Sequence, residues 1–318
     1  MEWIDDRAAA APMPRRRRQT RYHETLAKTI VNPMKGMRFS WSISPYRGCI
    51  HACTYCYARA SHTFLGYDPG EDFEKEIVVK VNAPDLLRRE IRHPRLRHQL
   101  MIMGTVSDPY QPAEHHYRLT RQLLRILDQA GNPTHITTKS TTVVQDRSLL
   151  GDMARRAGCA VNFTVTTLDP DLARLLEPRA PSPQQRLRAM RELAAAGIPT
   201  GIFAAPILPG LTDGDEDLER LVAAVAEHGG TYVMASALRI GDGFAAPFLA
   251  AAQRDFPHLL ARYRRQARVG RRGAVSPAEA DDIYGRMDEI RARYGMASGP
   301  PAVPEPPAAR QVALPLAI

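Results

Sequence analysis

Three of the four cysteines in this 318-residue chain are crowded into one short stretch, ISPYRGCIHACTYCYARASH (43–62). Cys49, Cys53 and Cys56 follow a C-x3-C-x2-C spacing, and the fourth cysteine, Cys159, lies far away along the chain. Thiolates are preferred ligands of soft metals, namely zinc, copper(I) and iron–sulfur clusters. The spacing therefore indicates a metal centre that receives three protein ligands from a single loop.

The fourth ligand distinguishes two kinds of metal centre. A structural zinc site closes with four protein ligands, and His51 within the loop or His62 just beyond it could complete such a site. A 4Fe–4S cluster is normally bound by four cysteines, so three cysteines would leave one iron open to a small molecule. We favour a cluster with an open iron, and a zinc site of three cysteines and one histidine stays the alternative.

Six β-rich segments alternate with helical segments, and this pattern predicts how the loop is positioned. The β-rich segments are FSWSISPY (39–46), QLMIMGTVS (99–107), THITT (134–138), CAVNFTVT (159–166), PTGIFAA (199–205) and TYVMASALR (231–239). Strands that alternate with helices of ten to fifteen residues indicate βαβ units around a parallel sheet. Six units are fewer than the eight of a closed barrel. We therefore predict an α/β fold with an open or partial (βα)6 barrel like that of triosephosphate isomerase.

The cysteine loop directly follows the first predicted strand. Ligands of parallel α/β folds bind at the carboxyl ends of the strands, so a cofactor is expected there. The helix after the second strand should bury one apolar face, made of Leu119, Leu123, Leu124 and Leu127, and should end at Gly131.

The C-x3-C-x-aromatic-C motif, with Tyr55 as the aromatic residue, and the six-unit pattern together resemble the radical S-adenosylmethionine (radical SAM) superfamily. The resemblance implies a 4Fe–4S cluster bound by the three cysteines, with the amino and carboxylate groups of S-adenosylmethionine on the open iron. It also implies reductive cleavage of the sulfonium to a 5′-deoxyadenosyl radical, which abstracts hydrogen from a substrate. A reducing partner such as flavodoxin or ferredoxin is expected.

Flanking motifs over roughly residues 40 to 240 are similar to the spore photoproduct lyase-like branch, often labelled DNA repair photolyases. These motifs are SPYRGC, CYAR, GTVSDPYQPAE (104–114), TTKS (137–140), VTT (165–167) and LEPRAPSPQQRLRAM (176–190). The resemblance implies the fold and the cofactor, whereas the substrate does not follow from the fold.

Four polar residues are predicted from this resemblance to bind the cofactor. Lys139 matches a lysine that contacts the cofactor carboxylate, for which an ammonium is a suitable partner. Ser107 matches a serine near the same cofactor, and Thr164 or Thr166 would add polar contacts. A surface lysine and turn residues at strand ends are the alternatives.

Tyr55 and Tyr57 flank the third cysteine and are predicted to be catalytic, with packing of the loop as the alternative.

The chain departs from the lyase at Thr105. The resemblance places there a cysteine that returns a hydrogen atom to the product radical, and the O–H bond of threonine is too strong for that step. Cys159 lies on another strand and is expected to be a small core residue. Repair of thymine dimers in the manner of the lyase is therefore not implied.

Several other polar residues lie near the predicted open face. Arg239 ends the sixth strand and is predicted to hold a phosphate or carboxylate of the cofactor or substrate. A polar cluster after the second strand should face the substrate, although Glu114 could instead cap the following helix; its members are Asp108, Tyr110, Gln111 and Glu114. Asp169 reads as a helix N-cap, and His115 and His116 as residues on a helix surface.

The formal net charge is +9, with 43 Lys and Arg against 34 Asp and Glu. Basic runs at 15–21 and 261–273 favour contact with DNA or RNA, because cations release the counterions of phosphates; a solvated arginine-rich surface is the alternative.

We expect the chain to consist of four parts. They are a basic, partly disordered N-terminal arm (1–38), a radical SAM core (39–245), a basic helical C-terminal extension (246–296) and a Pro-rich flexible tail (297–318).

The tail contains a short segment, Gln311–Leu316, that resembles the six-residue peptides by which bacterial polymerases and repair proteins dock on the replication sliding clamp. The alternative is that Val312, Leu314 and Leu316 pack onto the barrel.

We find no run of about 18 apolar residues and no signal-peptide pattern, so no membrane contact and a cytoplasmic location are expected.

Two further functions stay open from the sequence. One is radical SAM modification of a peptide or small molecule. The other is a non-catalytic iron–sulfur or zinc module that binds nucleic acid. The catalytic function requires an open iron, whereas the module requires a fourth protein ligand.

Overall fold

The computed structural model describes residues 19–34, 36, 39–241, 243–269 and 273–303. Within them the strands are β1 (Arg21–Thr25), β2 (Val31–Pro33), β3 (Trp41–Ile43), β4 (Tyr46–Arg47), β5 (Glu76–Lys80), β6 (Met101–Met103), β7 (Thr134–Thr138), β8 (Cys159–Thr164), β9 (Thr200–Ile207) and β10 (Tyr232–Ala237). The α-helices are α1 (Asp72–Lys75), α2 (Ala83–Glu90), α3 (Ala113–Tyr117), α4 (Leu119–Ala130), α5 (Arg147–Arg156), α6 (Pro170–Leu176), α7 (Pro183–Ala195), α8 (Asp215–Glu227), α9 (Ala245–Asp255), α10 (Leu260–Val269) and α11 (Pro277–Arg293). A 3₁₀ helix, called the 57–65 helix below, spans Tyr57–Leu65.

Six parallel strands form the larger sheet, in the spatial order β3, β6, β7, β8, β9 and β10. β2 pairs with β3 in the antiparallel direction. In the part of the chain that the structure describes, β2 and β10 are the two edges of this sheet, so it does not close on itself. The predicted partial (βα)6 barrel is confirmed.

The two faces of the larger sheet differ in polarity, as β8 shows. Cys159, Val161 and Phe163 pack in the main hydrophobic core with side chains of the helices. Because side chains alternate along a strand, Asn162 and Thr164 face the opposite, concave side. There Asn162 Nδ2 donates a hydrogen bond to Thr137 Oγ1 at 3.2 Å. The concave side therefore offers polar groups to a ligand.

A second sheet, with the strand order β1, β5 and β4, was not predicted from the sequence. The predicted first strand (39–46) is divided, because β3 belongs to the larger sheet and β4 to this one. β1 lies inside the segment 1–38, whose residues from 19 onward therefore include sheet structure. Its exposed sequence RYHET has no apolar pattern, and it is a strand because its backbone pairs in parallel with β5. Ile77 and Val79 of β5 pack on Tyr46 beneath the sheet.

The C-terminal extension predicted at 246–296 packs against the barrel. Phe248 of α9 and Tyr263 of α10 lie in one hydrophobic cluster with Cys53 and Tyr55 of the cysteine loop. α11 contributes buried residues to the main core. The extension therefore supports the loop that carries the candidate metal ligands.

The helical segment predicted after β6 is two helices, α3 and α4. Arg118 separates them because its φ of 50° lies in the left-handed region. The leucines of the predicted apolar face are buried, and Gly131 ends α4 in the left-handed conformation as expected; they are Leu119, Leu123, Leu124 and Leu127.

Most of the predicted tail lies outside the described residues, including Gln311–Leu316. Its first part is ordered against the barrel, since Ala297 forms a parallel bridge with Tyr232 of β10. None of the helices in the described ranges is long and apolar enough to cross a membrane.

Candidate active site

The cysteine loop leaves β4 through a turn that requires glycine. Gly48 has a φ of +76°, and a Cβ atom there would lie 2.9 Å from the carbonyl oxygen of Phe73. The next residue is fixed in turn, because Cys49 N donates to that same oxygen at 2.8 Å. Cys49 and Cys53 are buried, Cys56 is partly buried, and all three are free thiols. Burial raises the pKa of Cys53 to about 12, so this thiol needs a metal to become a thiolate.

The loop after β6 holds the backbone of the cysteine loop. Ser107 Oγ donates to Gly48 O at 2.6 Å, and Gln111 Nε2 donates to the same oxygen at 3.1 Å. Gln111 Oε1 accepts from Ile50 N at 3.2 Å. Ser107, predicted to bind the cofactor, therefore lies beside the loop and positions it.

Arg59 supports the loop from the other side, and its role was not predicted although CYAR was one of the recognised motifs. Its guanidinium is buried and donates to Cys53 O at 3.0 Å and to Gly70 O at 2.7 Å. It also forms an ion pair with Glu74 at 2.8 Å. The loop is thus held at both ends by charged or polar side chains.

Asp108 links the cysteine loop to β7. Its carboxylate accepts from Tyr110 N at 2.9 Å, Thr138 Oγ1 at 2.7 Å and Lys139 N at 2.7 Å. His51 Nε2 lies 3.2 Å from Asp108 Oδ2. Burial acts to raise the pKa of Asp108, but His51 and these hydrogen bonds outweigh it and lower the pKa to about 2. The carboxylate therefore stays charged and fixes the position of Lys139 relative to the loop.

Lys139 projects from the end of β7 towards the cysteine loop. Its ammonium lies 5.5 Å from the centroid of the Tyr55 ring, a distance suited to a cation–π contact. It lies 3.8 Å from Glu177 Oε1. Burial acts to lower the pKa of Lys139, but the negative charges of Cys53 in its thiolate form and of Glu177 outweigh it and raise the pKa. A charged ammonium thus lies next to the candidate metal ligands.

Glu177 and Arg186 form a fully buried ion pair that the sequence did not predict as part of the site. Tyr55 OH donates to the other carboxylate oxygen of Glu177. Arg186 also donates to Thr164 O at 2.8 Å and so ties the pair to the end of β8. Both residues lie in the recognised motif LEPRAPSPQQRLRAM, which was the available signal. Tyr55, predicted to be catalytic, is buried and holds Glu177.

Three buried hydroxyls at the mouth of the barrel have no hydrogen-bond partner among the described residues: Ser44 Oγ, Thr105 Oγ1 and Thr166 Oγ1. They follow the carboxyl ends of β3, β6 and β8. A buried hydroxyl without a partner is costly, so a ligand that hydrogen bonds to these groups fits the site. Thr166 was predicted to bind the cofactor; its hydroxyl is free to accept or donate a hydrogen bond, and its cofactor role stays a prediction.

Two of the remaining predicted residues, Tyr57 and Arg239, are exposed and occupy different positions. Tyr57 is 58% exposed, and its hydroxyl donates to Thr105 O at the barrel mouth. Arg239 is exposed, and its backbone pairs with Ala274. No contact between the Arg239 side chain and the other candidate residues is found in the described ranges, so its cofactor role stays a prediction.

Several of the other polar residues have structural roles, as helix caps or as residues on a helix surface. Glu114 accepts from Thr120 N at 3.0 Å and Arg121 N at 3.1 Å, so it caps α4. Asp169 accepts from two backbone N–H groups at the start of α6, as predicted for an N-cap. His115 and His116 are exposed on α3.

The candidates for a fourth protein ligand each have another position or neighbour. Cys159 begins β8 and lies in the main core, about 16 Å from the carboxyl end of this six-residue strand. His62 Nε2 lies 3.0 Å from Glu76 O. His51 Nε2 lies 3.2 Å from Asp108 Oδ2, and neither ring nitrogen of His51 has a hydrogen bond among the described residues. Among the described residues, no group of three or more His, Cys, Asp or Glu side chains forms a site for a metal ion as the side chains stand. The donor set that remains is three thiols on one loop, which fits an iron–sulfur cluster with one open position.

A partial barrel of six parallel strands, with three cysteines on the loop after its first strand, defines the class of radical SAM enzymes. Residues 43–222 match the family model described as the Radical SAM superfamily. The chain belongs to this superfamily and is an enzyme of the radical SAM class. Membership implies an iron–sulfur cluster and S-adenosylmethionine.

The chain is 35% identical over 292 residues to an uncharacterized protein of Mycobacterium tuberculosis, with 91% of this chain and 85% of that protein covered. It is 33% identical over 187 residues to an uncharacterized protein of Methanocaldococcus jannaschii, with 59% of this chain and 68% of that protein covered.

Among solved structures, the fold is similar to spore photoproduct lyase. A mutant of that enzyme with bound AdoMet and dinucleoside spore photoproduct has a TM-score of 0.63 at 19% identity, covering 86% of this chain and 80% of the lyase chain. A complex with dinucleoside spore photoproduct has a TM-score of 0.62 at 20% identity, with the same coverage. Identity at this level shows a shared fold.

Proposed function

We propose that Cys49, Cys53 and Cys56 bind a 4Fe–4S cluster with one open iron, and that the enzyme cleaves S-adenosylmethionine reductively to abstract hydrogen from a nucleic acid. The observation that carries the proposal is the three-thiol loop, which lies next to a charged Lys139, whereas the fourth cysteine, Cys159, lies in the main core. When bound, the cluster and S-adenosylmethionine would supply the electron and the 5′-deoxyadenosyl radical.

The residues of this chain would bind and orient the cofactor. The Lys139 ammonium is suited to the carboxylate of S-adenosylmethionine, and Asp108 and Glu177 hold Lys139 in place through its backbone and side chain. The unpartnered hydroxyls of Thr105 and Thr166 are suited to the polar groups of the ligand. A flavodoxin or ferredoxin would be the electron donor.

Three observations support a nucleic-acid substrate. The net charge is +9. The fold is shared with spore photoproduct lyase, which was solved with a dinucleoside ligand. Tyr57 places an exposed aromatic ring at the barrel mouth, where a base could stack. Because Thr105 stands where a cysteine was expected, we propose that hydrogen returns to the product by a different route from that of the lyase.

The proposal is tested by anaerobic reconstitution with iron and sulfide, followed by S-adenosylmethionine and dithionite. We expect 5′-deoxyadenosine, detected by liquid chromatography, and we expect an oligonucleotide to increase its rate of formation more than a peptide does. A protein that binds zinc tightly and forms no 5′-deoxyadenosine with either substrate would contradict the proposal and favour the non-catalytic module.

Replacing Lys139 by alanine should weaken S-adenosylmethionine binding while the cluster is retained. A lost charge-assisted hydrogen bond costs about 1.5–3 kcal/mol, which corresponds to roughly a 10- to 150-fold increase in Kd. Glu177 keeps Arg186 as its partner, so the fold should persist. The measurement is calorimetric titration of the reconstituted variant.

Arg88→Ala serves as the matched control, because Arg88 is an exposed cation paired with Asp85 on α2. It should bind the cofactor as the wild type does. An unchanged Kd in Lys139→Ala would assign Lys139 to packing on Tyr55.

A further inference from the structure

A cationic groove lies outside the candidate active site, between the second sheet and the end of the 57–65 helix. It has a volume of about 360 Å³. Its lining includes the cations Lys28, Arg47 and Lys80 and, among the described residues, contains no Asp or Glu. Three positive charges without a lining carboxylate make this groove a site for an anion.

Lys80 is the residue that most requires a ligand. It is only 8% exposed, and its ammonium has no hydrogen bond or ion pair in the part of the chain that the structure describes. Burial and the nearby charge of Arg47 lower the pKa of Lys80 to about 8. The carboxylate that acts against this shift, that of Glu90, is itself bound to the backbone N–H groups of Ile30 and Val31.

The orientation of Lys80 follows from the alternation along β5. Ile77 and Val79 point inward to the small core beneath the sheet. Val78 and Lys80 therefore point to the outer face, where they line the groove. An anion in the groove would supply the negative charge that Lys80 lacks among the described side chains.

The rim of the groove carries an aromatic side chain that the fold does not use. Phe64 is 86% exposed, and its neighbour Leu65 is 39% exposed. An exposed aromatic ring beside a row of cations is the arrangement by which proteins bind single-stranded nucleic acid, because the ring stacks on a base while the cations contact phosphates. A free phosphate would leave Phe64 without a partner.

We propose that this groove binds a single-stranded segment of nucleic acid, with Lys28, Arg47 and Lys80 on its phosphates and Phe64 stacked on one of its bases. The inference deepens the proposed function, on which its choice of substrate class rests. The 57–65 helix begins directly after Cys56 and ends at the groove, and nine residues at about 2 Å each span roughly 18 Å. That distance corresponds to about five nucleotides at 3.4 Å each, so one strand can occupy both the groove and the barrel mouth.

The test is fluorescence anisotropy of a labelled 12-nucleotide single strand, titrated with the reconstituted protein at several salt concentrations. Lys28→Gln with Lys80→Met should raise Kd at least tenfold and reduce the slope of log K against log salt by about 1.4, since each phosphate contact on a single strand contributes about 0.7. Phe64→Ala should raise Kd about tenfold and leave the slope unchanged, because stacking releases no counterions.

Two controls separate binding from folding. Arg155→Gln with Arg220→Gln removes two exposed arginines that are each paired with an aspartate three residues away, and it should keep the wild-type Kd and slope. Lys80→Met should be at least as stable to heat as the wild type, since methionine removes the cost of burying a charge.

Three results would overturn the inference: an unchanged Kd in the groove variants, an equal loss in the control variant, or variants that lose binding to phosphatidylserine vesicles but keep binding to the oligonucleotide. The proposed function is tested separately, by 5′-deoxyadenosine formation in the wild type without an oligonucleotide. Cleavage with an unaltered Kd in the groove variants would contradict this inference alone. Oligonucleotide binding through the groove without any cleavage would contradict the proposed function alone.

Discussion

Replacement of Cys49, Cys53 or Cys56 by alanine, one at a time, should abolish the visible iron–sulfur absorbance and all formation of 5′-deoxyadenosine. Each thiol would bind a different iron, and the other possible ligand on the loop, His51, lies beside Asp108, with 3.2 Å between Nε2 and Oδ2. The measurements are the iron content and absorbance of each reconstituted variant, followed by product analysis with dithionite.

Cys159→Ala is the matched control for these variants. Cys159 is buried in the main core at the start of β8, away from the loop. Its replacement by alanine should lower stability slightly while the cluster and S-adenosylmethionine cleavage are retained. Loss of the cluster in Cys159→Ala, in protein shown to be folded by circular dichroism, would mean four protein ligands and no open iron.

Glu177→Ala should lower the free energy of unfolding by about 3–5 kcal/mol, because breaking a buried ion pair leaves an uncompensated charge inside the protein. Arg186 is only 1% exposed, and without Glu177 it would keep only carbonyl partners, Pro181 O and Thr164 O. Tyr55 would lose its acceptor at the same time. Urea denaturation of the unreconstituted protein measures the effect without any cofactor.

A second variant shows whether the charge or the packing is responsible. Glu177→Gln with Arg186→Met removes both charges at similar volume, and it should recover most of the lost stability. Arg155→Ala breaks an exposed ion pair on α5 and should change stability by less than about 1 kcal/mol. A loss in Glu177→Ala as small as that of Arg155→Ala would show that Arg186 is not stabilised by this carboxylate.

The larger sheet and the cysteine loop could be predicted because their signals are local. All six parallel strands coincide with predicted β-rich segments, since apolar runs and the glycines between them record local backbone preferences. The C-x3-C-x2-C spacing is also local. It states which atoms could bind a metal whatever the rest of the chain does.

The second sheet could not be predicted, because its strands depend on partners distant in the sequence. The exposed segment RYHET is a strand only because β5, more than fifty residues later, presents an open edge to it. The FSWSISPY segment shows one continuous β pattern, yet Tyr46 leaves the larger sheet to pair with Val79. Strand propensity is only a weak preference, and pairing with other strands in the folded chain decides whether a segment becomes a strand.

The support of the site was likewise decided by the tertiary structure alone. The sequence by itself determined that three thiols lie on one loop, and the family resemblance implied that Lys139 contacts the cofactor. Glu177 lies 122 residues from Tyr55, and nothing in the spacing predicts that one carboxylate meets Tyr55, Lys139 and Arg186. Burial is what makes that meeting necessary, because a carboxylate and a guanidinium removed from water must satisfy each other. Only the folded chain determines which groups are removed from water.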